Sequence, residues 1–168
     1  QLSESGREFV TIQGDDYKDK KIEVYRNRDF DEFYDWIDYS HDIKQVKNFE
    51  FDHVVGIYRG SLPMAVHISN VFDVPMSIIG LQTRDGNDKE PYMIKAADPS
   101  PEKILIVDDI YDTGLTMKKV IRYLTHYSVD RIQGFCLFGK KNNFNVSYAN
   151  EHDGSWIVFP WETLNEPV

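Results

Sequence analysis

A single cysteine, Cys136, is all the sulfhydryl chemistry that 168 residues contain. That excludes an intramolecular disulfide framework. Its place in the apolar run FCLF marks it as a small buried hydrophobe, not a nucleophile. Runs of about 18 apolar residues are also missing, so no segment reads as a membrane-spanning helix. The stretch QLSESGREF lacks the apolar segment of a secretion signal, and the expectation is a cytoplasmic protein. Positive charge is scarce: 19 Lys and Arg stand against 28 Asp and Glu, the net charge is -9, and no basic cluster exceeds a pair. The footprint that a nucleic-acid backbone requires is therefore absent, and neither nucleic acid nor membrane is expected as a partner. A phosphorylated small substrate stays open, because backbone N–H groups and Mg2+ hold phosphates without a basic protein surface. The five histidines, His41, His53, His67, His126 and His152, show no metal-ligand spacing.

What is present suits one compact domain over residues 1–168. Hydrophobic residues make up 41% and aromatics 14%, with no internal repeat or linker-like tract. KIEVY (21–25) alternates as a strand. Phe30, Phe33, Trp36 and Ile37 predict an amphipathic helix over about 29–39 with its aromatics in the core. A strand at 53–57, a Gly/Ser/Pro turn and a helix over about 62–72 form a βα unit, followed by a strand at 74–81. The polar stretch 82–103 reads as a long loop, of the kind used as a lid or binding loop. ILIV (104–107) then reads as a strand covered on both faces, and Met117, Val120, Ile121 and Leu124 as one face of a helix. Strands follow at 131–139 and 145–149. This alternation predicts an α/β fold with a mainly parallel central sheet flanked by helices, and ligands beyond the carboxyl ends of its strands.

Three carboxylates, Asp108, Asp109 and Asp112, fall at such an end, in VDDIYDTGLT. An aspartic protease would need two Asp-Thr-Gly turns held between strands, whereas this one runs into a helix. A calcium loop fails because Thr113 stands where glycine is needed and no Glu follows at position 12. An aspartyl-phosphate enzyme would prefer D-x-D spacing. A phosphate site uses every residue: Thr113, Gly114, Leu115 and Thr116 bring successive N–H groups to a helix N-terminus, and Gly114 permits close approach. Thr116 also suits a plain N-cap. Asp108 and Asp109 would then meet sugar hydroxyls or a metal ion, so a phosphorylated sugar fits.

At these residues the sequence resembles the type I phosphoribosyltransferases. ILIVDDIYDTGLT is similar to their phosphoribosyl-pyrophosphate signature, VVGIYRGSLPMA to their pyrophosphate turn, and FGK with SWIVFPWE to the purine-binding segments of the xanthine-guanine and hypoxanthine-guanine members. The resemblance implies the family's fold, with a core at about 50–150 and a small hood from the N-terminal segment and about 150–168. It implies transfer of ribose 5-phosphate from phosphoribosyl pyrophosphate to a 6-oxopurine, with Mg2+ as cofactor and a homodimer or homotetramer as the assembly. By residue, it implies that Asp108 and Asp109 hold the ribose hydroxyls, directly or through Mg2+, and that Asp112 lies near purine N7 as acid/base. The 5-phosphate falls to Asp112, Thr113, Gly114, Leu115 and Thr116, and pyrophosphate to Arg59 and Gly60, in a turn whose peptide the family sometimes makes cis. Ser61 departs from the glycine often found there. Lys140 would read the purine 6-oxo group, Trp156 would stack on the base, and Ile157 would offer backbone groups to its 2-position. Apart from the resemblance, Arg59 would suit a surface ion pair and Trp156 a core position. Residues 84–95 would correspond to the family's mobile loop, with Tyr92 its one tyrosine. Transfer to another base, or a non-catalytic regulator that binds phosphoribosyl pyrophosphate, is the alternative.

Overall fold

The computed structural model describes residues 8–11, 21–24, 31–84, 88–95, 103–127 and 129–164. Along the chain run β1 (Glu8–Thr11), β2 (Lys21–Val24), β3 (Asp31–Phe33), α1 (Trp36–Asp42), β4 (His53–Ile57), α2 (Leu62–Phe72), β5 (Met76–Arg84) and β6 (Asp88–Lys95). They are followed by β7 (Lys103–Ile110), α3 (Leu115–Leu124), β8 (Arg131–Gly139), β9 (Val146–Glu151) and β10 (Trp156–Val158). These fall into two compact units: Trp36–Asp153, and Gln1–Asp35 with Gly154–Val168.

The larger unit is built on a six-stranded sheet in the order β6-β5-β4-β7-β8-β9. All neighbours are parallel except β5 and β6. Its central strands are apolar because both faces are covered. All of β4 is buried, as are Ile104–Val107 of β7 and Phe135–Phe138 of β8. Each such side chain contributes roughly 1.5–3 kcal/mol on burial. Inward-facing Met117, Val120 and Leu124 of α3 pack on Val55, Ile106 and Cys136, and α2 buries Met64, Ala65 and Ile68. Cys136 is fully buried, and burial pushes its thiol pKa well up, consistent with an inert core residue. His53 is also internal, its Nε2 2.8 Å from Ser77 Oγ. The chain leaves β4 for β5 on one side and later returns to β7 on the other. The carboxyl ends of β4 and β7 therefore flank a topological switch point, where α/β sheets bind ligands.

Two expectations are corrected here. The predicted helix over 29–39 is, where described, β3 followed by α1; residue 30 lies outside the described residues. Phe33, Trp36 and Ile37 are 51%, 52% and 78% exposed, so they form no core stripe. Inside the helix Tyr39 and Asp42 are buried instead, and Asn150 Nδ2 donates to Asp42 Oδ2 at 2.6 Å. Where described, the supposed loop over 82–103 is strand. β5 extends to Arg84 and pairs antiparallel with β6, from Ile78↔Lys95 to Arg84↔Asp88. Pro91 is tolerated there because β6 is a sheet edge, where a missing N–H leaves no neighbour unpaired.

The smaller unit pairs β1 with β2 antiparallel and β3 with β10 in parallel. The Tyr34 N–H donates to Val158 O at 3.1 Å, and Tyr34 packs edge-on against Phe159. Phe159 stacks on Trp161, and its N–H donates to Glu162 Oε2 at 3.1 Å.

Candidate functional site

The switch point gathers three chain segments of the larger unit. From β7 come Asp108 and Asp109, which lie in the last three residues of the strand and not beyond it. The Asp109 N–H donates to Asp108 Oδ1 at 3.1 Å and the Ile110 N–H to Asp109 Oδ1 at 2.8 Å, so both carboxylates are oriented by backbone. Both are half-buried. Burial raises both pKa values, and for Asp108 the adjacent Asp109 charge raises it further. Two carboxylates held at such cost in one place suit a bound cation or hydroxyl donors that would relieve them.

The second segment follows β4. The Tyr58–Arg59 peptide is cis, one bond before the Arg59–Gly60 peptide raised by the sequence. Ser61 is buried with its hydroxyl donating to Ile57 O at 2.6 Å, which ties the turn to the end of β4. Gly60 lies directly against Asp109: a Cβ at that position would stand 2.1 Å from Asp109 Oδ2. Arg59–Gly60 and the acid pair are thereby one constellation.

The third segment is the turn from Asp112 into α3. Gly114 is the N-cap, in the left-handed region with φ 75°, and no side chain caps the helix. Thr116 is therefore not the N-cap; it is the second helical residue. Thr113 Oγ1 accepts from the Leu115 N–H at 3.3 Å, leaving an anion-accepting N-terminus.

Lys140 joins this group. Its Nζ donates to Asp112 Oδ1 at 2.7 Å, and this ammonium holds the Asp112 carboxyl below its ordinary pKa, with a smaller contribution from His152. The contact follows from register. Ile110 pairs with Phe138, and the Tyr111 N–H donates to Phe138 O at 2.8 Å, so residues 112 and 140 leave adjacent strands side by side. Asn142 fixes the turn after Lys140, donating through Nδ2 to Lys140 O and Val146 O, both at 3.1 Å, while its Oδ1 accepts from the Phe144 N–H at 3.0 Å. Sequence reading did not single out Asn142 and gave His152 no role; an Asn three residues past a strand end is a turn signal that would have found the first.

Trp156 and Ile157 belong to the smaller unit, on β10. Trp156 is 69% exposed, which disposes of a core role, whereas Ile157 is buried. Among the described residues, no cluster of three or more His, Cys, Asp or Glu forms a metal cage. No helix among them is long and apolar enough to cross a membrane.

Comparison with known families decides what this arrangement belongs to. A family described as the phosphoribosyl transferase domain matches residues 32–166. The chain belongs to the phosphoribosyltransferase family. Among relatives in this enzyme family, a xanthine-guanine phosphoribosyltransferase of Gluconobacter oxydans is 30% identical over 126 residues, 70% of this chain and 72% of that protein. An orotate phosphoribosyltransferase of Sulfurisphaera tokodaii is 36% identical over 83 residues, which is 49% of this chain and only 40% of that protein. The structure of a purine phosphoribosyltransferase from Pyrococcus horikoshii superposes with a TM-score of 0.66 at 25% identity, covering 82% of this chain and 97% of that one. The mainly parallel sheet with flanking helices is accordingly the type I phosphoribosyltransferase fold.

Proposed function

We propose that this protein transfers ribose 5-phosphate from phosphoribosyl pyrophosphate to a 6-oxopurine, with guanine, xanthine and hypoxanthine as candidate bases, and releases pyrophosphate. The observation that carries the reading is the Lys140–Asp112 pair, a lysine donor beside a carboxylate at the edge of the phosphate turn. The kinship with a purine enzyme supports it.

In this reading, the backbone of Asp112–Thr116 takes the 5-phosphate. Asp108 and Asp109 hold the ribose hydroxyls, and Arg59 with Gly60 receives the pyrophosphate. Mg2+ fits the acid pair as an ion that uses one or two carboxylates and completes its shell with substrate oxygens. When bound, it would neutralise charge on the leaving pyrophosphate. As the bond from ribose C1 to oxygen breaks, positive charge grows on the sugar, and the two fixed carboxylates favour that state electrostatically. The purine ring nitrogen forms the new bond to C1, pyrophosphate departs with the bonding electrons, and the proton released from the imidazole ring passes to Asp112.

Lys140 has two tasks in this scheme. With no base present it holds Asp112 ionised. When a 6-oxopurine arrives, its ammonium donates to O6, and Asp112 loses the neighbour that suppresses its basicity at the moment a proton acceptor is needed. Adenine presents an amino donor at that position and would face a donor with a donor, which costs discrimination of orders of magnitude. Trp156 stacks on the base and Ile157 offers backbone to its 2-position. Assembly as a homodimer or homotetramer is part of the proposal, read by sedimentation.

A second reading, transfer to orotate, has the 36% identity to an orotate enzyme in its favour. The products formed from phosphoribosyl pyrophosphate and Mg2+ with hypoxanthine, guanine, xanthine or orotate, identified by mass, test both. A purine nucleoside monophosphate supports the first; orotidine monophosphate alone replaces it by the second.

A further inference from the structure

Tyr111 stands between the acid pair and the phosphate turn. It is 6% exposed, its side chain belongs to the buried cluster that includes Met117, Val120 and Leu124 of α3, and its N–H is fixed on Phe138 O at 2.8 Å. Its hydroxyl points at the turn: a Cβ on Gly114 would come within 2.2 Å of that oxygen. Among the described residues, no hydrogen bond takes up the hydroxyl, and although the residue is buried its oxygen is open to solvent at the turn. Gly114 is also the N-cap of a ten-residue helix that no side chain caps. A hydroxyl without a protein partner therefore sits at a helix N-terminus, where Thr113 Oγ1 accepts from the Leu115 N–H.

We propose that the Tyr111 hydroxyl is a further donor to the phosphate monoester held by the Asp112–Thr116 turn, a substrate-binding residue for the ribose 5-phosphate group. The inference rests on the phosphoribosyl reading of that turn. Gly114 serves the same device, because any side chain there would displace the hydroxyl from the turn.

Calorimetric titration of wild type and Tyr111→Phe with ribose 5-phosphate and, separately, with pyrophosphate tests this. The variant keeps the ring and its packing and loses only the O–H. Affinity for ribose 5-phosphate is expected to fall about tenfold, as for loss of one hydrogen bond to a charged group, with pyrophosphate binding unchanged. Tyr111→Met, which fills the space without an O–H, should lose affinity for the same ligand. In turnover, KM for phosphoribosyl pyrophosphate should rise while KM for the base stays; a packing role alone would lower thermal stability without that split. Equal affinity of wild type and Tyr111→Phe for ribose 5-phosphate overturns the role of Tyr111 and leaves the phosphoribosyl site standing. Failure of wild type itself to bind ribose 5-phosphate overturns the site, and this inference with it.

Discussion

Lys140 Nζ lies 2.7 Å from Asp112 Oδ1, although 28 residues separate them. The ammonium keeps this carboxyl ionised below the usual carboxylate range. Lys140→Ala removes the first cause of that depression. The acidic limb of kcat/KM against pH should therefore move to higher pH, because Asp112 then takes up its proton sooner as pH falls. The same variant should lose roughly 10- to 100-fold in kcat/KM for 6-oxopurines and narrow the gap to adenine. A pH–rate series on both proteins checks the direction.

Gly60 is the point where the turn after β4 meets Asp109. Gly60→Ala would drive a methyl to 2.1 Å from Asp109 Oδ2. The acid or the turn must shift by about 1 Å, and misplacement of that size costs on the order of 100-fold in rate. Steady-state kinetics beside a thermal melt should show the rate loss with the fold retained.

Gly114→Ala faces two obstacles, the left-handed φ of 75° and the Tyr111 hydroxyl. The backbone cost alone is about 1–2 kcal/mol. A drop in melting temperature and a rise in KM for phosphoribosyl pyrophosphate are expected together, read by calorimetry and kinetics.

The buried charge of Asp108 opposes stability. Its pKa is raised by burial and by the charge of Asp109, so in the range between its unfolded and folded values the folded state holds a proton that the unfolded state has released. The stabilising contribution is complete below the unfolded value and is lost as pH rises through the folded one. In metal-free buffer, unfolding free energy should decline across that range in wild type, and Asp108→Asn should remove the slope, raise the melting temperature at neutral pH and abolish turnover. Denaturant titrations at several pH values measure it.

The elements legible in the sequence were those whose signal is local and continuous. The apolar runs of β4, β7 and β8 stand out because they are buried on both faces, and α2 and α3 because Met64 and Ile68, or Met117, Val120 and Leu124, repeat at helical spacing on one side. The acids and the turn from Asp112 into α3 were legible for the same reason, as one unbroken motif from Ile104 to Thr116. β3 was not, because its partner β10 lies more than a hundred residues away and no window of sequence contains both. The aromatic spacing of Phe33, Trp36 and Ile37 imitated a buried helix face that solvent in fact covers. β6 was missed because an edge strand need not be apolar, so Asp88, Lys89, Glu90 and Pro91 read as loop. The closeness of Lys140 to Asp112 is a consequence of the β7–β8 register, which composition does not carry.

The measurement that bears most directly on the account is pyrophosphate release from phosphoribosyl pyrophosphate and Mg2+ with hypoxanthine, guanine, xanthine or adenine, in wild type and Asp112→Asn. Turnover on the 6-oxopurines, none on adenine, and a large loss in the variant is the predicted result. Turnover on adenine at a comparable rate, or none on any of these bases by protein that binds phosphoribosyl pyrophosphate, would contradict it.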